Sequence, residues 1–182
     1  IRGHSNVQGI GSVGVAPVLK ESFARELRDR YGVAASGPGM DTFACITAAH
    51  AGKIDAAVLL GGNLWGSNPD SAWASTAMRS IGTTISLTTK LNPGHFHGRG
   101  QRAIILPVLA RDEEPESTTQ ESMFSFVRLS SGGPSRHKNV RSEVSILAAL
   151  GQRIFGQGSG IDWHQMESHQ AIRELMADLV PG

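Results

Sequence analysis

The chain has 182 residues, which is room for one domain and little for two. Lys plus Arg is 17 and Asp plus Glu is 16, so the net charge is only +1 and there is no electrostatic footprint for nucleic acid. Charged residues at 18% and hydrophobic residues at 40% exclude a solvated disordered segment.

Aromatics are 5%, so the core must rest on Ala, Val, Leu and Ile. The single cysteine, Cys45, excludes an intramolecular disulfide, a Cys-rich zinc site and an all-Cys iron–sulfur site within this chain. No apolar run reaches the ~18 residues that span a bilayer, and nothing resembles a signal peptide. A cytoplasmic globular protein is the expectation. The chain opens on Ile1, and IRGHSNVQGIG reads like the interior of a larger multidomain protein, so 1–182 is expected to be one domain-sized fragment.

Residues 1–17 are Gly-rich without helical period and read as a leading loop. Residues 18–32 carry Val18, Leu19, Phe23, Leu27 and Tyr31 among charges, an amphipathic helix that Gly32 stops. Asp41 is placed to cap a helix over 42–52. The apolar run 54–60 ends at Gly61-Gly62 and fits a buried parallel strand. Asn68-Pro69-Asp70 opens a helix to about Arg79, with Pro69 in its first turn. Residues 83–89 are β-branched and predict a strand. Residues 92–101 read as loop or broken helix, 103–109 as a third strand with Pro107 near its end, and 111–120 as a polar surface loop. Residues 122–130 are apolar on both faces and read as extended. Residues 131–140 form another polar loop. Helices follow at 143–155 and 163–179.

This order predicts an α/β fold: a mostly parallel sheet flanked by helices, three-layer and Rossmann-like. Ligands in such folds sit beyond the carboxyl ends of the strands, here Gly61, Gly62 and Asn63, then Thr88 to Asn92, then Pro107. Gly61-Gly62 lets a phosphate or sugar approach the backbone, and the Asn63 side chain can read an amide-like edge; a plain strand-to-helix turn would use the same residues. Gly9 to Gly14 spells G-x-G-x-x-G but follows no predicted strand, so it is read as a chance match. His95 and His97 are too few for a closed metal site. His137, His164 and His169 show no partner pattern and read as surface residues.

Cys45 opens a rival. The stretch ACITAAHAGKIDAAVLLGGN resembles the nucleophile region of thiolases, where a helix terminus activates a cysteine for acyl transfer. If Asp41 caps the helix, Cys45 lies about a turn inside it, where a free cysteine is usually a small buried hydrophobe.

Five segments, RGHSNVQG at 2–9, IDAAVLLGGN, ISLTTKLNPGHF, AIILPVL and RSEVSILAALGQRIFG, taken together resemble the molybdopterin oxidoreductases, specifically the formate-dehydrogenase-like oxidoreductase alpha subunits. Arg2-Gly3-His4-Ser5-Asn6-Val7-Gln8-Gly9 resembles the family's R-G-x-x-N-V-Q-G motif. IDAAVLLGGN resembles the strand whose following turn meets a guanine dinucleotide, and ISLTTKLNPGHF the next strand. AIILPVL resembles the A-D-x-x-L-P strand, and RSEVSILAALGQRIFG the helix after a polar hairpin. The order and spacing agree over nearly all of 1–155.

The resemblance implies a Rossmann-like dinucleotide-binding variant that holds part of a molybdenum bis(molybdopterin guanine dinucleotide), or bis-MGD, cofactor. Arg2 matches the arginine that faces the substrate beside molybdenum, a role suited to a permanently charged guanidinium. His4 stands where formate dehydrogenases have a cofactor-contacting Gln. Gly62, Asn63 and Ser67 match the turn that touches the dinucleotide. Thr88 and Thr89 stand where relatives often carry an acidic residue, so recognition there must use hydroxyls. Val108 follows the L-P pair and has only backbone to offer. Glu143 matches an acidic position that could meet guanine, and it also reads as an ordinary first-turn helix acid. The metal's own ligand, a [4Fe-4S] cluster where present, and the second dinucleotide domain fall outside this chain in the family layout. The implied partners are the remaining domains of the same polypeptide, a small-molecule substrate such as formate, and an electron-transfer partner. A non-catalytic nucleotide-binding domain is the second alternative.

Overall fold

The computed structural model describes residues 6–34 and 37–180. In chain order the helices and strands are α1 (Val7–Ser12), α2 (Glu21–Tyr31), α3 (Thr42–His50), β1 (Ala56–Leu60), α4 (Ser71–Arg79), β2 (Thr83–Thr88), α5 (Gly94–His97), β3 (Arg102–Pro107), β4 (Thr118–Ser122), β5 (Phe126–Ser130), α6 (Glu143–Phe155) and α7 (His169–Leu179). They group into two compact units, one of Met40–Val108 and one that joins Ile1–Gly39 to Leu109–Gly182.

The Met40–Val108 unit is the α/β element that the alternation predicts. β1, β2 and β3 form a parallel sheet in that order, with Ala56 opposite Thr83 and Thr83 opposite Arg102. Helices flank it, consistent with a Rossmann-like, three-layer build. Asp41 caps α3 by accepting from the Ala44 N–H at 2.8 Å, and Asp70 caps α4 by accepting from the Trp73 N–H at 2.8 Å. Pro69 therefore lies before the cap and outside the first turn, because Asp70 has the side chain that satisfies the orphan N–H. Ile46, Ala49, Ala77, Met78 and Ile81 form the buried cluster, with Ala57 and Leu59 of β1 packed on it. The small alanines let α3 and α4 approach each other closely. β2 is central and its Thr84, Ser86, Leu87 and Thr88 are buried. The Thr84 hydroxyl donates to the Arg102 carbonyl and accepts from the Gly100 N–H. A buried hydroxyl with both roles used costs little.

In the other unit, α2 ends as expected, with Gly32 left-handed at φ 67 and its N–H on the Arg28 carbonyl. Four readings are corrected there. Part of the leading loop is the six-residue helix α1, held by β4 and not by its own period. Part of the 111–120 polar loop is buried: Glu113, Glu114 and Gln120 are all under a tenth exposed, and β4 begins at Thr118. The 122–130 stretch is not one extended strand; β4 ends at Ser122, residues 123–125 turn, and β5 returns antiparallel with Ser122 opposite Phe126. The 163–179 helix breaks at Ser168, which is extended and caps α7 by accepting from the Ala171 N–H. Among the described residues no helix is long and apolar enough to cross a membrane.

Candidate functional site

The parallel register puts the ends of three strands side by side: Leu60, then Leu87 and Thr88, then Pro107. The segments that leave these ends carry Gly62, Asn63, Ser67, Thr88, Thr89 and Val108, so six of the nine predicted site residues lie along one sheet edge. Gly61 and Gly62 are both left-handed, at φ 62 and 71, which a side chain would strain. A Cβ on either would meet no atom within 4 Å, so this backbone faces open space. The Gly61 N–H is used by the Leu87 carbonyl at 2.8 Å. The N–H groups of Gly62, Asn63 and Leu64 have no acceptor among the described residues. Consecutive open N–H groups in left-handed turns suit an anionic or carbonyl oxygen.

Asn63 holds this turn together. Its Oδ1 accepts from the Gly66 N–H at 2.8 Å, its carbonyl accepts from the Ser67 N–H at 3.0 Å, and its Nδ2 has no partner among the described residues. The Ser67 hydroxyl donates to the Leu64 carbonyl at 3.1 Å. Thr88 is buried and its hydroxyl donates to the Lys90 carbonyl at 2.8 Å, which leaves it acceptor capacity only. Thr89 is exposed and its hydroxyl has no hydrogen bond within the described protein. Val108 is buried and its N–H is spent on the Thr88 carbonyl at 3.1 Å, so it offers shape and no donor.

Asn92 is the residue whose role the sequence reading understated. Its Nδ2 donates to the Gly62 carbonyl at 2.9 Å, and its Oδ1 accepts from the Gly94 N–H at 2.9 Å. It ties the turn after β1 to the turn after β2. The Asn-Pro-Gly sequence was the available signal. His95 caps the same turn, its Nδ1 accepting from the Asn92 N–H at 2.9 Å. His97 packs against Trp65 with the rings tilted by 32° and their centroids 5.0 Å apart. The hollow lined by Gly61, Gly62, Asn63, Ser86, Asn92 and His95 measures ≈ 250 Å³ with its open mouth counted. Most of that is open mouth, and the enclosed part holds about one water, so any larger ligand would have to lie across the strand ends rather than enter the hollow.

Glu143 is in the other unit, as the first residue of α6 after its Ser142 cap. Its carboxyl has no hydrogen bond among the described residues. Burial, and then the neighbouring Glu114 carboxylate, hold it above the usual carboxylate range. Glu114 in turn faces His169, with Oε2 3.2 Å from Nε2. His169, expected on the surface, is largely buried, because the start of α7 packs on the bend before β4, where the Glu116 carboxylate accepts from the Ser168 hydroxyl and the Gln170 N–H. Arg2 and His4 lie outside the described residues. Cys45 is not at a helix terminus: its N–H is bonded to the Asp41 carbonyl at 2.9 Å and its Sγ lies 3.7 Å from the Met40 carbonyl. Among the described residues no group of three or more His, Cys, Asp or Glu side chains is arranged to hold a metal.

The donor set therefore fits a phosphate-bearing or carbonyl-bearing ligand at Gly62 and Asn63. It fits less directly at Thr88 and Val108, whose polar groups are partly or wholly used by the fold.

No protein-family model matches the chain. The chain is 34% identical over 193 aligned positions to an "uncharacterized oxidoreductase" of Mycobacterium tuberculosis, and equally to that of Mycobacterium bovis. It is 28% identical over 190 positions to protein YdeP of Escherichia coli. Each alignment covers all of this chain and 24% or 25% of the relative, so the chain spans about a quarter of the length of the curated relatives it matches.

Proposed function

We propose that the chain is a pterin-guanine-dinucleotide-binding part of a molybdenum-dependent, formate-dehydrogenase-like oxidoreductase. The observation that carries the reading is the turn after β1, where left-handed Gly61 and Gly62 leave open N–H donors beside two further strand ends. Support also comes from relatives named oxidoreductases over the whole of this chain. The motif segments from Arg2 to Glu143 add to it.

The bound bis(molybdopterin guanine dinucleotide) molybdenum supplies the two-electron redox chemistry, with any [4Fe-4S] cluster of the longer protein as onward carrier. The chain's own residues bind and orient. The N–H groups of Gly62 and Asn63 and the free Asn63 Nδ2 donate to phosphate or guanine oxygens. Thr89 and Ser67 add hydroxyls, and the buried Thr88 adds acceptor capacity. Glu143 accepts from guanine N–H groups, which would offset the penalty that burial and Glu114 place on its charge. His4 takes the place of an amide at the cofactor. Arg2 would supply a permanently charged guanidinium for the carboxylate of a small acid such as formate. By itself this chain supplies binding and no turnover.

The test uses the longer protein matured in a host that makes the molybdenum cofactor. Formate-dependent dye reduction is expected in the wild type and is lost in Arg2→Ala at unchanged molybdenum content. A metal-loaded wild type that ignores formate contradicts the formate assignment. An active Arg2→Ala contradicts the role of the arginine.

A further inference from the structure

Two further polar residues line the hollow at the strand ends, Ser86 of β2 and His95 of α5. Ser86 is 7% exposed, and its hydroxyl has no hydrogen bond among the described residues. It shares a face of β2 with Thr84, whose hydroxyl accepts from the Gly100 N–H. A buried hydroxyl without a partner is costly, so Ser86 points to an atom that binds in the hollow.

His95 is fixed in one tautomer. Its Nδ1 accepts from the Asn92 N–H at 2.9 Å, so the ring hydrogen sits on Nε2. That Nε2–H has no acceptor among the described residues. The ring caps a turn on one side and keeps an open donor on the other.

The free groups around the hollow can all donate. They are the Gly62 and Asn63 N–H groups, Asn63 Nδ2, His95 Nε2–H and the Ser86 hydroxyl. The side-chain acceptors beside them are taken: Asn63 Oδ1 by the Gly66 N–H, Asn92 Oδ1 by the Gly94 N–H and His95 Nδ1 by the Asn92 N–H. Packing keeps Asn63 in this arrangement, since a Cβ on Gly94 would collide with its Oδ1. A guanine edge carries N–H donors beside its carbonyl and would find too few acceptors here, whereas a phosphate presents acceptors only.

We propose that the hollow is a phosphate subsite. His95 Nε2–H and the Ser86 hydroxyl hold one oxygen of a pyrophosphate that lies across the strand ends, and the Gly62 and Asn63 N–H groups hold others. The enclosed part takes about one water-sized atom, which suits a single oxygen. This rests on the proposed reading of the strand ends as a cofactor edge, and it names the part of the cofactor that lies there.

Calorimetric titration of the longer protein, purified without cofactor, with inorganic pyrophosphate, GDP and guanosine tests it. Pyrophosphate and GDP are expected to bind, and guanosine about tenfold more weakly. His95→Asn keeps an acceptor for the Asn92 N–H but removes the outward donor, so it should weaken pyrophosphate about tenfold at unchanged Tm. His95→Gln keeps an outward N–H but loses the cap, so it should retain binding and lower Tm. Ser86→Ala should weaken pyrophosphate about as much as His95→Asn. Wild-type affinity in both His95→Asn and Ser86→Ala overturns the proposal, and so does a wild type that ignores pyrophosphate. Pyrophosphate binding that depends on His95, with GDP binding no more tightly, upholds the phosphate subsite and counts against the guanine dinucleotide.

Discussion

The Gln8 side-chain amide donates to the Glu121 carboxylate at 2.8 Å, across 113 residues of chain. The Glu121 N–H donates to Asn6, and a Cβ at Gly9 would collide with the Asn6 side chain, so three residues of the N-V-Q-G segment are fitted to β4. This segment is therefore a structural splice between α1 and the hairpin, whatever its neighbours bind.

Removing the splice should be measurable. Gln8→Ala loses a charge-assisted bond and should destabilise the fold by about 1–2 kcal/mol in urea unfolding. Asn6→Ala should cost a similar amount or more, because it loses a bond and keeps a left-handed backbone. Asn6→Gly should recover part of that. Equal stability of all three variants would contradict the splice.

The two aspartate caps make an independent prediction. Asp41→Ala and Asp70→Ala should each cost about 1 kcal/mol, and the Asn replacements much less. Thermal unfolding at neutral pH checks this.

Much of this was legible in the sequence because it depends on local chemistry. Asp41 and Gly32 mark helix ends by what a side chain, or the lack of one, does for the backbone, whereas Asp70 reads from the sequence as inside the helix that it caps. The runs at 56–60 and 83–88 are apolar or β-branched enough to read as strands. The hairpin was not legible for the opposite reason. Thr118 to Ser122 is polar throughout, and Phe126 to Ser130 is exposed on both faces, so neither strand shows the period that one-sided burial imposes. His169 and Glu114 were missed because their pairing joins residues 55 apart, which no spacing rule reveals. At the strand ends, residue type pointed to Gly62 and Asn63. That Val108 has its N–H already spent could be learned only from the register.

Glu143 predicts a pH dependence. Its carboxyl is raised above the ordinary 4.5 by burial and by Glu114. A raised carboxyl contributes stability that is present below the ordinary value and is lost as pH rises through the raised one. At neutral pH the charge is a net penalty, so Glu143→Gln should raise Tm there, with the gain shrinking as pH falls toward 4.5. A gain independent of pH would contradict this. The same variant should bind guanine nucleotide less well.

Gly62 separates folding from binding. Gly62→Val places a Cβ in open space but forces a β-branched residue to φ 71, which should cost about 1–2 kcal/mol and leave the protein folded. The side chain would stand where a ligand must approach. The expected result is a folded longer protein with reduced guanine-nucleotide content. Full nucleotide content would remove Gly62 from the site.

The most direct measurement is the molybdenum and guanine-nucleotide content of the longer protein purified from a host that makes the cofactor. The account predicts about one molybdenum and two guanine nucleotides per polypeptide. A folded protein with neither would contradict it.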